Sequence, residues 1–450
     1  MKISVLKFGG TSMGSVSAIS QSAQIVKKAS QDSKVMVVVS AISGMTNLLI
    51  ELIELARKQK QRLIAGRLNK MEEIHRSILK DFVDEEDLDE IWKKEFAPAF
   101  KKLRYVLTGI SFIGELTDKT YAFICIFGER FSSRIMAYAL QKEGMQGLKI
   151  NAKRVISTDS QYLEANVDFK KTAERTKRII LPLLQKEITP VVMGFSGKDT
   201  HGDTTLLGRG GSDYTASILG ISLDVSDIQI WTDVDGVMSA DPREIKNVQL
   251  WSKISLDVMA EMTNSGAKVL HPKTITAAVK KNIPVYIKNT FNPSAEGTLV
   301  SGDKRKGLKG VVLVQDQTII NLVNPEMLDA FGFISNCSQQ FVDNNVPVDV
   351  CATSEVSVTC SIASSDQSNK LNRSLSKIAH VEIHKEKAKL CVIGCDVTQN
   401  AELISRIFSV LKNYNIYTVS IGATFHNITI LIDNKNSKAA LKLLHQELFE

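Results

Sequence analysis

The chain has 450 residues, 44% apolar and 23% charged, a globular composition long enough for about three domains. Its 9 prolines and 26 glycines exclude collagen-like and low-complexity readings. The 56 Lys and Arg against 49 Asp and Glu leave a net charge of +7, spread along the chain, which suits anionic small substrates and argues against a nucleic-acid partner.

No apolar run approaches the ~18 residues of a membrane span, and the start, Met1–Lys7, breaks its apolar stretch too early for a signal peptide. The six cysteines form no Cys-x-x-Cys pair and none has a histidine at zinc spacing. Free thiols in a cytoplasmic protein are expected, with no membrane partner and no metal ligands.

In chain order, β-branched runs predict strands at Ile3–Leu6, Val35–Val39, Ala122–Phe127, Val191–Met193, Ile228–Thr232 and Val285–Ile287. Helical patterns such as Val16–Ala29 and Phe131–Glu143 separate them. That alternation predicts an α/β domain over residues 1–300 with a mainly parallel sheet. Residues 57–104 interrupt it with 13 basic and 10 acidic residues and apolar side chains at helical spacing (Ile74, Ile78, Leu79, Phe82), which predicts a solvated helical insertion.

The last third contains an internal repeat. Asn345–Val350 precedes the alternating strand Val356–Ile362, and Asn415–Ser420 precedes the alternating strand Ile428–Ile432, about 70 residues on. Each unit reads strand–helix–strand–strand–helix. His380–His384 supplies the first unit's fourth strand; the second lacks one, and a spare strand, Lys309–Val314, stands just before the first. Two ferredoxin-like βαββαβ units are expected, the first (315–385) inserted into the second (305–314 plus 386–450).

Chemistry-bearing segments follow the predicted strands. Lys7-Phe8-Gly9-Gly10-Thr11-Ser12 offers paired glycines for close approach to a phosphate, with a lysine at the strand's end; alone it is equally a turn. It is neither a Walker motif nor Gly-x-Gly-x-x-Gly. Ser40–Asn47 reads as a polar ligand loop or as an N-cap for the next helix. Phe127-Gly128-Glu129 places a carboxylate after a glycine, either for a ligand ammonium or as the acidic residue of a helix's first turn. Thr204–Ala216 is the most informative: Arg209 suits a carboxylate, and the amides of Gly210, Gly211 and Ser212 can form an anion nest. Trp231–Met238 with Asp241-Pro242-Arg243 has turn chemistry after a strand, and Ser265–Pro272 carries Lys268, a second candidate phosphate cation. The histidines form no triad and no metal pair.

Together, in this order, Lys7–Ser12, Phe127–Glu129, Gly208–Asp213, Trp231–Gly236 and Gly266–Pro272 resemble the aspartate kinases of the amino-acid kinase family, and the tail, including Thr353–Ser357, resembles their paired ACT modules. The pattern is most similar to the single-function, lysine-inhibited type. The resemblance implies a three-layer αβα sandwich with a mainly parallel sheet, followed by two ACT modules. It implies transfer of the γ-phosphoryl of ATP, with Mg²⁺, to the β-carboxylate of L-aspartate, the first step of lysine, threonine and methionine biosynthesis, under feedback by an amino acid, L-lysine first. Lys7, Asp213 and Lys268 would be catalytic. Thr46, Glu129, Arg209, Gly210, Gly211 and Ser212 would bind aspartate. Lys7, Phe8, Gly9, Gly10, Thr232, Asp233, Met238, Arg243, Lys268 and Val269 would bind ATP. Met327, Ala330, Phe333, Ile334, Val348, Asp349, Thr353, Ser354 and Glu355 would form the effector site. A homodimer or homotetramer through the ACT modules is implied. Met238 stands where relatives often have tyrosine, and Ala330 and Pro347 where lysine-sensitive ones often have serine, so a weakened lysine response or another effector is expected. Two alternatives stay open: another amino-acid kinase, and an inactive ACT sensor.

Overall fold

A computed structural model describes residues 2–267, 272–302, 306–324, 332–354 and 356–450. Lys268, Val269, Met327, Ala330 and Glu355 lie outside the described residues. The chain forms two compact units, Met1–Val237 with Leu270–Gly302, and Met238–Val269 with Asp303–Glu450. Residues 238–269, expected within the 1–300 segment, thus pack with the C-terminal residues.

The first unit contains strands β1 (Ile3–Phe8), β2 (Lys34–Val39), β3 (Gln146–Ile150), β4 (Ile188–Met193), the hairpin β5 (Ser196–Lys198) and β6 (Thr204–Leu206), and β7 (Asp227–Thr232). A short strand, β8 (Lys253–Ser255), belongs to the second unit, and β9 (Val285–Asn289) and β10 (Thr298–Ser301) return to the first. The order β3-β4-β2-β1-β7-β9-β10 is parallel throughout except for β10, which runs antiparallel to β9. β1 is buried at every residue, as a central parallel strand covered on both faces must be. Its neighbours β2 and β7 end level with it: Phe8 pairs with Val39 and with Trp231. The loops that leave these carboxyl ends are where an open α/β sheet accepts ligands.

Ala122–Phe127 is not a strand. Helices Asp118–Cys125 and Phe127–Lys142 occupy it. The Thr117 hydroxyl caps the first by accepting from the Thr120 N–H at 3.2 Å. The segment itself is buried at Ala122, Ile124, Cys125, Ile126 and Phe127, and the helix Phe127–Lys142 is buried along most of its length. A helical stretch so buried loses its polar stripe and reads in sequence as a strand. The segment 57–104 is helical, in Gln61–Lys80, Glu85–Ile91 and the start of Ala97–Ile113. Its buried side includes Phe96 and Phe100, whose rings stack on Phe131 at centroid distances of 5.9 and 4.2 Å. It therefore supports the helix Phe127–Lys142.

The second unit holds one antiparallel sheet of β11 (Gly307–Val323), β12 (Val350–Thr353), β13 (Ser357–Ala363), β14 (His380–Cys395), β15 (Ile416–Ile421) and β16 (Asn427–Asp433), in the order β12-β13-β11-β14-β16-β15. β11 and β14 are long and serve both repeats. Gln317–Val323 of β11 pairs with β13, and Gly310–Val314 pairs with Lys389–Ile393 of β14. Each repeat has its own core, one around Ile320, Phe333, Cys360 and Leu371, the other around Leu390, Ile407, Ile430 and Leu441. The expected fold class, a mainly parallel α/β sheet followed by paired βαββαβ modules, is what the chain adopts.

Candidate active site

Lys7, Glu129, Ser212 and Asp213, drawn from three separate stretches of sequence, line one cleft of about 500 Å³ in the first unit. Gly9, Gly10, Thr11, Ser40–Gly44, Thr46, Phe195, Gly210, Gly211, Thr232 and Asp233 complete its wall.

Lys7 is the next-to-last residue of β1. Its Nζ meets Asp213 Oδ1 at 2.5 Å, with the two side chains 9% and 14% exposed. Asp213 lies in the first turn of the helix Gly211–Leu223, whose N-cap, Gly210, has φ +70°. A side chain at Gly211 would place its Cβ 2.7 Å from the Phe195 ring, so glycine is what lets this turn close over the cleft. Gly9 and Gly211 do not offer their N–H groups to a ligand, as the sequence reading expected. Gly9 donates to Trp231 C=O at 3.0 Å and Gly211 to Gly208 C=O at 3.1 Å. Both bonds fix loop shape.

Glu129 enters from the first turn of the helix Phe127–Lys142. A Cβ at Gly128 would lie 2.6 Å from the Ala41 Cβ, so this glycine allows the helix to abut the loop after β2. Ser132 Oγ pins the same contact by donating to Ser40 C=O at 2.7 Å. The Glu129 side chain is buried, and its Oε2 has no hydrogen-bond partner among the described residues. Burial raises its carboxyl from the usual range to about 7, against the opposing pull of its own and the Ala41 N–H groups and of the Lys7 charge. A buried carboxyl with an open oxygen is a receptor for a cation. The N-cap reading of Ser40–Asn47 fails: the helix Met45–Arg57 is capped by Gly44 at φ +82° with no side-chain bond. Its hydroxyls Ser40, Ser43 and Thr46 instead face the cleft.

Other expected residues are placed differently. Arg209 is exposed, does not line the cleft, and pairs with no carboxylate among the described residues. Phe8 is fully buried and stacks on Trp231 at 6.2 Å, a packing role. Thr232 and Asp233 line the cleft, joined by a 3.1 Å bond between Thr232 Oγ1 and Asp233 Oδ1. Met238 and Arg243 belong to the second unit, where Met238 bridges to Leu250 and Arg243 holds Asp241 at 2.6 Å. Phe195 was missed; the signal was a glycine, Gly194, straight after the strand that ends at Met193.

In the second unit Phe333 sits in the core of its module, whereas Ile334, Val348, Thr353 and Ser354 are exposed. Asp349 pairs with the buried Lys389 at 3.1 Å. The adjacent Cys395 and Asp396 and the more distant His426 gather their donor atoms within 4.8 Å. Lys306 lies 3.8 Å from the Asp396 carboxylate as its counter-charge.

Residues 2–289 match the amino acid kinase family and residues 390–448 the ACT domain. Lysine-sensitive aspartokinase 3 of Escherichia coli is 30% identical over the whole of both chains. The chloroplastic aspartokinase 1 of Arabidopsis thaliana is 31% identical, over 99% of this chain and 80% of the relative. Among solved structures, E. coli aspartokinase III in complex with lysine and aspartate (T-state) superposes with a TM-score of 0.87 at 30% identity, covering all of both chains. The same enzyme in complex with aspartate and ADP (R-state) gives 0.83. The cleft at the ends of β1, β2 and β7 and the paired modules thus belong to a member of the aspartokinases, within the amino acid kinase family.

Proposed function

We propose that this chain transfers the γ-phosphoryl group of MgATP to the β-carboxylate of L-aspartate, giving 4-phospho-L-aspartate, and that an amino acid bound to its ACT modules, L-lysine first, restrains it. The observation that carries this reading is the Glu129 carboxyl, buried and open on one oxygen, in the same cleft as the Lys7–Asp213 pair. One group awaits a cation and the other presents one, as an ammonium-bearing substrate and a phosphate together require. Glu129 takes the α-ammonium. Arg209, on the exposed turn beside the cleft, takes the α-carboxylate, and Thr46 and Ser212 add hydrogen bonds.

The acceptor carboxylate is ionised at neutral pH, so the reaction needs no general base. What the protein supplies is alignment and positive charge at the transferring group. Lys7 faces the phosphates, and Asp213 fixes the direction of its ammonium. The aspect of the cleft that fits a phosphate is the lysine at a strand's end beside a close turn: at Gly10 a Cβ would stand 3.3 Å from Ala41 C=O, a tight contact. Mg²⁺ bound with ATP would supply further positive charge at the phosphate oxygens. Lys268, Val269, Thr232, Asp233, Met238 and Arg243 are assigned to the nucleotide.

In the regulatory half, Met327, Ala330, Phe333, Ile334, Val348, Asp349, Thr353, Ser354 and Glu355 are assigned to the effector. Pro347 and Ala330 offer it neither an N–H nor a hydroxyl, respectively. The enzyme works in the cytoplasm as a homo-oligomer joined through these modules. The test is ADP release from MgATP with L-aspartate, repeated with L-lysine and with L-threonine. Aspartate-dependent turnover suppressed by lysine is expected; turnover without aspartate dependence overturns the substrate, and insensitivity to both amino acids overturns the effector.

A further inference from the structure

Two of the free cysteines lie side by side. Cys351 on β12 is directly opposite Cys360 on β13, and their Sγ atoms are 3.7 Å apart. The backbone ladder places them where a cross-link closes with little movement. The Ser354 N–H donates to Ser357 C=O at 2.9 Å, which makes that pair a hydrogen-bonded rung. Rungs alternate along an antiparallel ladder, so 352/359 and 350/361 are bonded pairs and 351/360 is a non-bonded one. In such pairs the Cα atoms approach to about 4.5 Å, inside the range that disulfides span.

We propose that Cys351 and Cys360 form a modification site, a dithiol that closes reversibly to an intramolecular disulfide when it meets a low-molecular-weight disulfide of the glutathione type. The access of the two sulfurs divides the labour. Cys351 is exposed on the edge strand of the sheet, whereas Cys360 is buried in the core of its module. The Cys351 thiolate attacks one sulfur of the oxidant, the oxidant's S–S bond breaks, and one small thiolate leaves and takes up a proton. Cys360 then gives up its proton, attacks the Cys351 sulfur and expels the second small thiol. Two protein thiols are oxidised and one small disulfide is reduced to two thiols, so electrons and protons balance. Burial, and Cys351 beside it, push the Cys360 thiol above the ordinary cysteine range, so closure accelerates as pH rises. Cys125, Cys391 and Cys395 are buried and do not share Cys351's access.

The cross-link ties β12 to β13. β12 is the short edge strand that connects Asp349 to Ser354, and the amides of Val350–Thr353 should exchange more slowly with deuterium in the oxidised form.

The experiment uses the native full chain equilibrated with oxidised glutathione. Two thiols per chain should be lost, and the intact mass should fall by about 2 Da. Trypsin leaves both cysteines on one peptide, because no Lys or Arg lies between Lys309 and Lys370; further cleavage after Glu355 separates them unless the disulfide holds. The joined fragments should part on reduction with dithiothreitol. Cys351→Ser, which leaves the core untouched, should abolish the cross-link, and Cys337→Ser should retain it. A glutathione adduct that never closes, a link from Cys351 to Cys337, or no loss of thiols would each overturn the proposal.

Discussion

Glu129 ties substrate binding to pH. Its carboxyl stands at about 7 in the unliganded protein because burial disfavours the charge. An ammonium binds the ionised form, so binding expels a proton from the rest. Between pH 8 and pH 6 the ionised fraction falls about tenfold, and kcat/KM for aspartate should fall by the same factor while kcat changes little. Glu129→Gln should remove this dependence and raise KM at every pH. The same variant should stabilise the unliganded protein. A folded-state pKa raised from 4.5 to about 7 means that stability is lost as pH rises through that window, by about 3 kcal/mol at pH 8. Thermal melts at pH 5 and pH 8 that differ equally for both proteins would defeat the assignment. Arg209 makes the complementary case. It is exposed and pairs with no carboxylate among the described residues, so its removal should leave stability unchanged. Losing a charge-assisted bond to the α-carboxylate costs about 2 kcal/mol, so Arg209→Ala should raise KM for aspartate roughly thirtyfold. An unchanged KM would remove Arg209 from the substrate site.

At the scale of elements, the helical insertion matters more than its charge pattern suggests. His75 lies on its buried face, with Phe100 and Phe131 at ring distances of 5.9 and 4.9 Å. Nδ1 bonds Met71 C=O at 2.7 Å, and Nε2 has no partner among the described residues. Burial depresses its pKa from 6.5 to about 4, the Met71 bond opposing. The unfolded chain therefore binds a proton that the folded one refuses, and stability falls as pH drops from 6.5 toward 4. At pH 5 the loss is about 2 kcal/mol, which His75→Leu should abolish; equal denaturant midpoints for the two proteins at pH 5 and at pH 8 would reject this. Sequence periodicity found this segment helical because its outer face kept its charges. It misread Ala122–Phe127 for the opposite reason, since this short stretch is buried at all but Phe123 and shows no polar residue to betray a helical period. Lys7 with Gly9-Gly10, and Asp213, stand out in the sequence and meet in the cleft, whereas Arg209, singled out beside Asp213, lies outside its lining. Loop chemistry was illegible where the role is set by a neighbour. No spacing shows that the Gly9 amide is taken by Trp231, or that Gly128 is needed because Ala41 lies against it.

At the scale of the molecule, the chain passes between its two units more than once, and this decides where it can be cut. Residues 238–269 come before β9 and β10 in sequence yet pack with the C-terminal modules. Ala240 and Ile245 are buried among Leu390, Ile428 and Leu441. Ser239 Oγ meets His445 Nε2 at 2.9 Å, and the Trp251 indole N–H donates to Lys309 C=O at 2.6 Å. A fragment ending at Gly302 keeps the whole 238–269 segment but loses every one of those partners. Returning a buried aliphatic side chain to water costs about 1.5–3 kcal/mol, and a domain's total stability is about 5–15 kcal/mol. Exposing Ile245 and Trp251 with their neighbours therefore spends a large part of it and creates an apolar patch on a soluble fragment. The fragment 1–302, which contains the entire candidate cleft, should associate on size exclusion and unfold without a cooperative transition, while the full chain melts sharply. A monodisperse 1–302 that turns over MgATP with aspartate would show that the segment 238–269 finds a stable place without the modules, and the regulatory half would then be a removable appendage.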